Sequence, residues 1–162
     1  MIQEKYNRQI FDEGTEDAIL RLSHLRSNVL SPVGIGKVDR VLILEPDSQA
    51  LVEWLQEQAS EVVIAQTDNM GQVSGSFNVI VNVGKLTETP SALKKLLAAD
   101  GRLVYALPEK DRIADFAKRL LKEAGFNTID TFRVSPDYLF TTEIYAEDYI
   151  GGGAGDYLLI AK

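Results

Sequence analysis

Val38-Asp39-Arg40-Val41-Leu42-Ile43-Leu44 is the stretch of sequence that decides the fold. Its last four residues form a continuous apolar run, which is typical of a strand that is buried on both faces of a sheet. A strand of this kind needs a layer of other elements on each side. The stretch therefore predicts a central strand of an α/β domain.

Further strands and helices alternate on the C-terminal side of this strand. The predicted helices share an apolar face at helical spacing, and they lie at 48–59, 91–99 and 111–124. The other predicted strands are short apolar runs at 61–65, 77–83, 102–107, 126–134 and 156–161. Asp100-Gly101 is expected to form the turn between the second helix and its strand. This alternation predicts a parallel, doubly wound sheet.

Length, composition and charge limit the classes of function. The 162 residues suit one domain, and 45% hydrophobic with 25% charged residues is ordinary globular usage. The net charge of −7 argues against a nucleic-acid surface and against an anionic membrane. The chain has no cysteine, which excludes thiol nucleophiles and cysteine-based metal sites. No apolar stretch approaches the ~20 residues of a membrane span, and we expect a cytoplasmic protein.

Two segments lie outside the alternation of strands and helices. Residues 1–37 are expected to form a helical N-terminal extension of a single domain, 1–162. Pro32, followed by Gly34 and Gly36, ends this extension before the first strand. Residues 135–155 contain a proline, several aromatic residues and three consecutive glycines, which predicts a long loop or flap between the two closing strands.

Several stretches carry a resemblance to a known family, and they lie at 22–30, 41–44, 77–81, 96–103, 123–126, 136–138 and 142–145. From residue 22 to the C-terminus the chain resembles class I S-adenosylmethionine (SAM) dependent methyltransferases. The resemblance is nearest to the methyltransferase-type domains of bacterial surface-polysaccharide biosynthesis proteins. It implies a Rossmann-like fold with a doubly wound, mostly parallel sheet of about six strands, of which the last is antiparallel.

The positions that hold the cofactor depart from the pattern of this family. In the resembling enzymes the first strand leads into a Gly-x-Gly-x-Gly loop, because glycine lets the backbone approach the cofactor closely. The resemblance puts Glu45, Asp47 and Gln49 at those three positions, and Gln66 at the acidic position that holds the ribose. Side chains in the loop, two of them carboxylates, predict that SAM does not bind in the usual pose. A SAM cofactor is expected only if the domain is active.

The connection between the second and third strands is short. Ten residues separate Gln66 from Phe77, where the resembling enzymes have a helix, a further strand and the loop that contacts adenine. At ~3.3 Å per residue they can span roughly 33 Å, which is enough for a crossover without a helix. We therefore predict six strands in the order 2-1-3-4-6-5, with the strand at 61–65 at one edge.

The remaining candidate residues favour structural interpretations. His24 is the only histidine and is expected on a helix surface, so we assign no catalytic residue and no metal site. Trp54, at helical spacing, is expected in the core. Glu45 and Asp47 after a buried strand also resemble the acidic pocket of response-regulator receiver domains. In this chain the candidate acceptor position is Asn82 or its neighbours Val83 and Gly84, none of which can form an acyl phosphate.

The sequence leaves three functions open. The first is a non-catalytic domain that binds a protein partner, or forms a homodimer, through the edge strand at 61–65. The second is a SAM-dependent methyltransferase with an altered cofactor site. The third is a degenerate, receiver-like sensing module. A ligand of any of them is expected in the crevice between the first and third strands, bordered by loops 45–49 and 83–89.

Overall fold

The computed structural model describes residues 2–15, 18, 21–108, 112–134, 144–145 and 156–162. The strands are β1 (Arg40–Leu44), β2 (Glu61–Ala65), β3 (Phe77–Val83), β4 (Leu97–Pro108), β5 (Ile129–Val134), β6 (Ile144–Tyr145) and β7 (Asp156–Ala161). The α-helices are α1 (Ile2–Glu13), α2 (Gln49–Gln58), α3 (Pro90–Lys94) and α4 (Ile113–Glu123). Two 3₁₀ helices lie at His24–Val33 and Thr67–Gln72.

The strands form one mixed sheet in the order β2-β1-β3-β4-β7-β5-β6. β1 pairs in parallel with β2 and β3, and β3 pairs in parallel with β4. β7 lies between β4 and β5 and is antiparallel to both. The predicted order and the antiparallel last strand are confirmed. The structure adds β6, a pair of residues from the predicted flap 135–155, whose other residues lie outside the described part of the chain.

Both faces of the sheet are buried, as the central apolar run predicted. Val41 and Ile43 of β1 face one layer, which the 3₁₀ helix at His24–Val33 and α2 cover. Leu42 and Leu44 face the other layer, which α3 and α4 cover. Trp54 is half-buried at the margin of the first layer rather than inside it. Alternate residues of one strand thus stabilise two separate apolar layers.

The predicted helix at 91–99 is wrong in its C-terminal half. α3 ends at Lys94, and β4 begins at Leu97, well before the predicted start at residue 102. The backbone N–H of Phe77 donates to the carbonyl of Leu96 over 2.8 Å, so sheet pairing replaces the last helical turn. The predicted turn at Asp100-Gly101 lies inside β4, in an irregular stretch where the pairing with β3 changes register.

The ten residues between Gln66 and Phe77 contain no α-helix. Their 3₁₀ helix at Thr67–Gln72 leads directly to β3, which pairs with β1 on the side opposite to β2. β2 is therefore at one edge of the sheet in the described residues, as predicted.

The described part of the N-terminal extension contains α1 and the 3₁₀ helix at His24–Val33, and α1 packs against α2. Tyr6 of α1 lies in a small apolar cluster with Leu22 and Ala50, and its hydroxyl donates to the carboxylate of Glu53. The 3₁₀ helix contains Pro32 and ends at Val33. The side chain of His24 lies outside the described residues. Within the described part of the chain, no helix is long and apolar enough to cross a membrane.

Candidate functional site

The crevice lies at the carboxyl ends of β1 and β3, where the strand order reverses. β2 and β3 pair with opposite sides of β1. The loops after β1 and β3 therefore start at neighbouring strand ends and run in opposite directions, which leaves a crevice between them. The N-terminal end of β7 reaches the same edge of the sheet, because Asp156 pairs with Pro108 at the end of β4. Side chains from these loops and from Asp156 therefore meet there.

Glu45, the first of the predicted loop positions, is held by residues on both sides. Its Oε1 accepts from the backbone N–H of Thr67 over 3.1 Å and from the Thr67 hydroxyl. Its Oε2 lies 3.0 Å from the Nζ of Lys85. The hydroxyl of Thr67 and then Lys85 lower the pKa of Glu45 to about 2, so the carboxylate is ionised near neutral pH. The φ of Glu45 is 39°, in the left-handed region that favours glycine.

Asp47, the second predicted position, forms an ion pair with Arg26 of the N-terminal extension. The Nη2 of Arg26 lies 2.8 Å from Asp47 Oδ2, and its Nη1 lies 2.5 Å from Asp156 Oδ2. The Arg26 side chain is only 3% exposed. One buried guanidinium therefore links the loop after β1 to the start of β7, directly across the end of the sheet.

The loop after β3 comes close to the same carboxylate. Gly84 has a φ of 84°, and a Cβ added to it would lie 3.1 Å from Asp47 Oδ2. Its backbone N–H donates to the carbonyl of Ala106 over 2.8 Å, which fixes its position beside β4. Asp47 thus fills the space between the loops of β1 and β3.

The other two predicted positions are exposed and lie apart from this ion-pair network. Gln49 is the first residue of α2, behind the N-cap Ser48, whose hydroxyl accepts from the N–H of Leu51. Gln66 follows β2, and its backbone N–H donates to the side chain of Asn69 over 2.7 Å. The structure therefore brings Glu45 and Asp47 to the crevice and leaves Gln49 and Gln66 on the surface at its border.

Three polar side-chain atoms at and beyond the end of β3 are buried without hydrogen-bond partners among the described residues. Neither atom of the Asn82 amide has a hydrogen bond, although the residue is fully buried between Leu44 and Tyr105 in the register of the sheet. The hydroxyl of Thr87 is unpaired as well. The nearby hydroxyl of Tyr105 donates to the carbonyl of Glu88, and burial raises its pKa. Buried polar groups of this kind are rare in folded proteins.

Sequence reasoning identified the two loop carboxylates and missed the cations that pair with them, Lys85 with Glu45 and Arg26 with Asp47. Arg26 lies in a stretch that was assigned to the helical extension, far in sequence from Asp47 and Asp156. Its neighbours Leu25, Ser27 and Asn28 do not form an apolar run, so no local signal in the sequence marks this arginine as buried. In the ranges that the structure describes, no group of three or more metal-ligating side chains comes together.

Comparisons with known proteins relate the chain to others by fold. No protein-family model matches it, and no curated protein does either. Among solved structures, it is similar to precorrin 8w decarboxylase of Methanobacterium thermoautotrophicum, with 12% identity over 85% of this chain and 89% of that one, at a TM-score of 0.59. It is also similar to precorrin-6y C5,15-methyltransferase from Geobacter metallireducens, with 13% identity over 85% and 86%, at a TM-score of 0.52.

A third similar structure is a TehB-like SAM-dependent methyltransferase from Corynebacterium glutamicum. It has 12% identity over 98% of this chain and 96% of that one, at a TM-score of 0.51. The chain therefore has the α/β, Rossmann-like fold of methyltransferases, with its last strand antiparallel. Identities this low establish the fold alone, and function has to be argued from the crevice itself.

Proposed function

We propose that this chain is a methyltransferase-like domain that has lost ordinary SAM binding and acts as a non-catalytic, partner-binding domain. The observation that carries the proposal is the closure of the crevice by the chain's own ion pairs. Arg26 spans Asp47 and Asp156, and Lys85 neutralises Glu45. Of these residues, Glu45 and Asp47 stand at the positions where, by the sequence resemblance, glycines would let a cofactor approach the backbone.

The residues present do not fit SAM in the usual pose. A ligand in the loop after β1 would have to displace Asp47 from Arg26, and breaking a buried ion pair costs about 3–5 kcal/mol. The carboxylate of SAM would also approach Glu45 and Asp47, which carry the same sign of charge. The space that Asp47 occupies depends on Gly84, because a Cβ at residue 84 would lie 3.1 Å from Asp47 Oδ2.

Calorimetric titration with SAM and with S-adenosylhomocysteine tests the proposal. We expect no saturable heat below the millimolar range for either compound. A micromolar dissociation constant with one site per chain would overturn the loss of cofactor binding. The chain's circular dichroism and cooperative unfolding, measured on the same sample, show that a negative result comes from folded protein.

A SAM-dependent methyltransferase with an altered cofactor site is the second candidate, and Asn82 favours it. An unpaired buried amide costs about 1–3 kcal/mol per group, and a ligand that reached it would remove this cost. Saturable binding by the native chain that is lost in a folded Asn82→Leu variant would support this candidate. The receiver-like alternative has less support, because β7 lies inside the sheet between β4 and β5.

The partner surface that we propose is the edge at β2, beside which no further strand lies in the part of the chain that the structure describes. Unpaired backbone groups of an edge strand are a ready template for pairing with another chain. A place beside other domains of surface-polysaccharide biosynthesis proteins would suit a non-catalytic domain of this kind, and it stays a prediction from the sequence resemblance.

A further inference from the structure

β2 is an edge strand without the usual protection against pairing. Its five residues, Glu-Val-Val-Ile-Ala, contain no proline and no lysine, and its register with β1 is continuous, without a bulge. Half of its backbone N–H and C=O groups point away from β1, since these groups alternate in direction along a strand. In the described residues no strand lies on that side.

Apolar surface accompanies these unpaired backbone groups. Ile64 is 40% exposed and is one of four large hydrophobic side chains that stand out from the described surface. A shallow groove of about 270 Å³ runs beside it, lined in part by Val63, Gln72 and Val73. A strand that paired with β2 would cover both the isoleucine and the rim of this groove.

We propose that the occupant of this edge is β2 of a second copy of the chain, paired antiparallel about a two-fold axis at Val63. The inference rests on the proposed function, because it names the partner of that surface. In this register Val63 faces the partner's Val63, and Ile64 faces the partner's Val62. Residues opposite each other share one face of the sheet, so each exposed isoleucine packs on a half-buried valine of the other copy.

Charge favours this arrangement over a parallel one. Glu61 is the only charged residue of β2, and its Oε2 lies 2.5 Å from the Nε of Arg40 on β1. In the antiparallel register Glu61 faces the partner's Ala65, whereas a parallel, in-register pair would set two Glu61 carboxylates against each other. Like charges directly opposite one another destabilise a strand pair. In the antiparallel orientation the edge therefore pairs with its own copy without repulsion between the two Glu61 carboxylates, while its apolar residues face each other.

Sedimentation velocity of the full chain over the micromolar range tests the dimer. We expect a species of twice the 17.9 kDa chain mass. Ile64→Lys puts a charge on the pairing surface and should weaken the dimer at least tenfold. Phe116→Lys is the matched control, because Phe116 on α4 is 45% exposed and lies away from β2, and it should leave the dimer unchanged.

Single cysteines test the register, since the chain has none of its own. Opposed residues of an antiparallel pair have Cα atoms about 4.5–5.5 Å apart, within the range that a disulfide spans. Under mild oxidation Val63→Cys should therefore form a disulfide-linked dimer and Val62→Cys should not. Cross-linking of both variants would indicate a parallel pair and overturn the register.

Failure of the dimer and failure of the proposed function are distinguishable. A chain that stays monomeric at hundreds of micromolar, or a dimer that Ile64→Lys does not weaken, overturns the β2 pairing whatever the SAM titration gives. A dimer that binds SAM with micromolar affinity overturns the loss of cofactor binding and leaves the pairing intact.

Discussion

At the scale of one residue, Arg26 connects the two sides of the crevice through ion pairs with Asp47 and Asp156. Its guanidinium is nearly inaccessible to water, and the carboxylates of Asp47 and Asp156 stabilise its charge. Removing the cation leaves two carboxylates facing each other in a partly dry site, and the loss of one partner from a buried ion pair is far more costly than the loss of a surface pair.

We predict that Arg26→Ala lowers the free energy of unfolding by about 3–5 kcal/mol. The control is Arg8→Ala, which removes an exposed ion pair with Asp12 on α1 and should cost no more than about 0.5 kcal/mol. Urea unfolding followed by circular dichroism measures both. An Arg26 variant as stable as the Arg8 variant would show that the crevice does not depend on the buried ion pairs.

Glu45 makes the stability of the protein sensitive to acid. Its pKa is lowered from 4.5 to about 2 in the folded chain, so the folded state binds this proton less readily than the unfolded state. The stabilisation is therefore complete above pH 4.5 and is lost as the pH falls towards 2. We expect Glu45→Gln to be less stable than the native chain at pH 7, with a difference that shrinks between pH 4.5 and 2.

Unfolding measured at a series of pH values checks this prediction for Glu45. Glutamine keeps the size of the side chain and an oxygen that accepts from Thr67, so the comparison isolates the charge. Glu123→Gln, at an exposed position on α4, is the control and should change stability little. A difference for Glu45→Gln that stays constant down to pH 2 would contradict the effect of Thr67 and Lys85 on this carboxylate.

The site residues that were predictable from the sequence are those that directly follow a predicted strand. Glu45 and Asp47 follow directly from the end of the buried strand, so their place at the crevice could be inferred from the sequence. The contacts of Arg26 span 21 and 130 residues, and no local pattern indicates such pairs. Asn82 was identified as a strand-end residue, but its lack of partners depends on packing from both neighbouring strands.

At the scale of elements, β4 shows where periodicity is misleading. Leu93, Leu96 and Leu97 have helical spacing, yet only Leu93 lies in a helix. Phe77 pairs with Leu97 and Val79 with Arg102, so two steps along β3 correspond to five along β4. β4 therefore has three more residues than β3 in this interval, and they form the irregular stretch around Gly101. The stretch is kept within the strand because β4 pairs with β3 both before and after it.

Gly101 is required by this irregularity. A Cβ on it would lie 2.9 Å from the carbonyl oxygen of Ala98 and 3.0 Å from that of Phe77. We predict that Gly101→Ala destabilises the protein by about 1–3 kcal/mol, as overpacking does. Gly71→Ala is the control in the 3₁₀ helix, where nothing lies within 4 Å of the added atom. It should be neutral or stabilise by about 0.4–1 kcal/mol.

Thermal unfolding of the two glycine variants measures these opposite effects. A Gly101→Ala protein that melts at the temperature of the native chain would mean that the strand relaxes around the new methyl group. In that case the irregular stretch of β4 would accept a side chain at residue 101, and glycine would not be required there.

At the scale of the whole molecule, the topology was more predictable than the bounds of its elements. The ten residues after Gln66 are long enough for a crossover that puts β3 beside β1, and the alternation of strands and helices predicts the rest of the parallel order. β6 escaped prediction because two residues carry no periodic signal. The order of the predicted strands therefore follows from the length of the connections and the alternation of elements, while the pairing of β6 with β5 depends on tertiary contacts.

This topology predicts a gradient of backbone protection across the sheet. β1 and β3 are paired on both sides and buried on both faces, so their amides should exchange hydrogen only through global unfolding, at opening free energies of about 5–15 kcal/mol. In the Ile64→Lys variant, half of the β2 amides point to open solvent and should exchange through small local openings. Residue-resolved exchange by NMR measures both groups in one sample. Protection of all β2 amides in this variant, at the level of β3, would mean that another part of the same chain covers the edge, and the argument for β2 as the partner surface would fail.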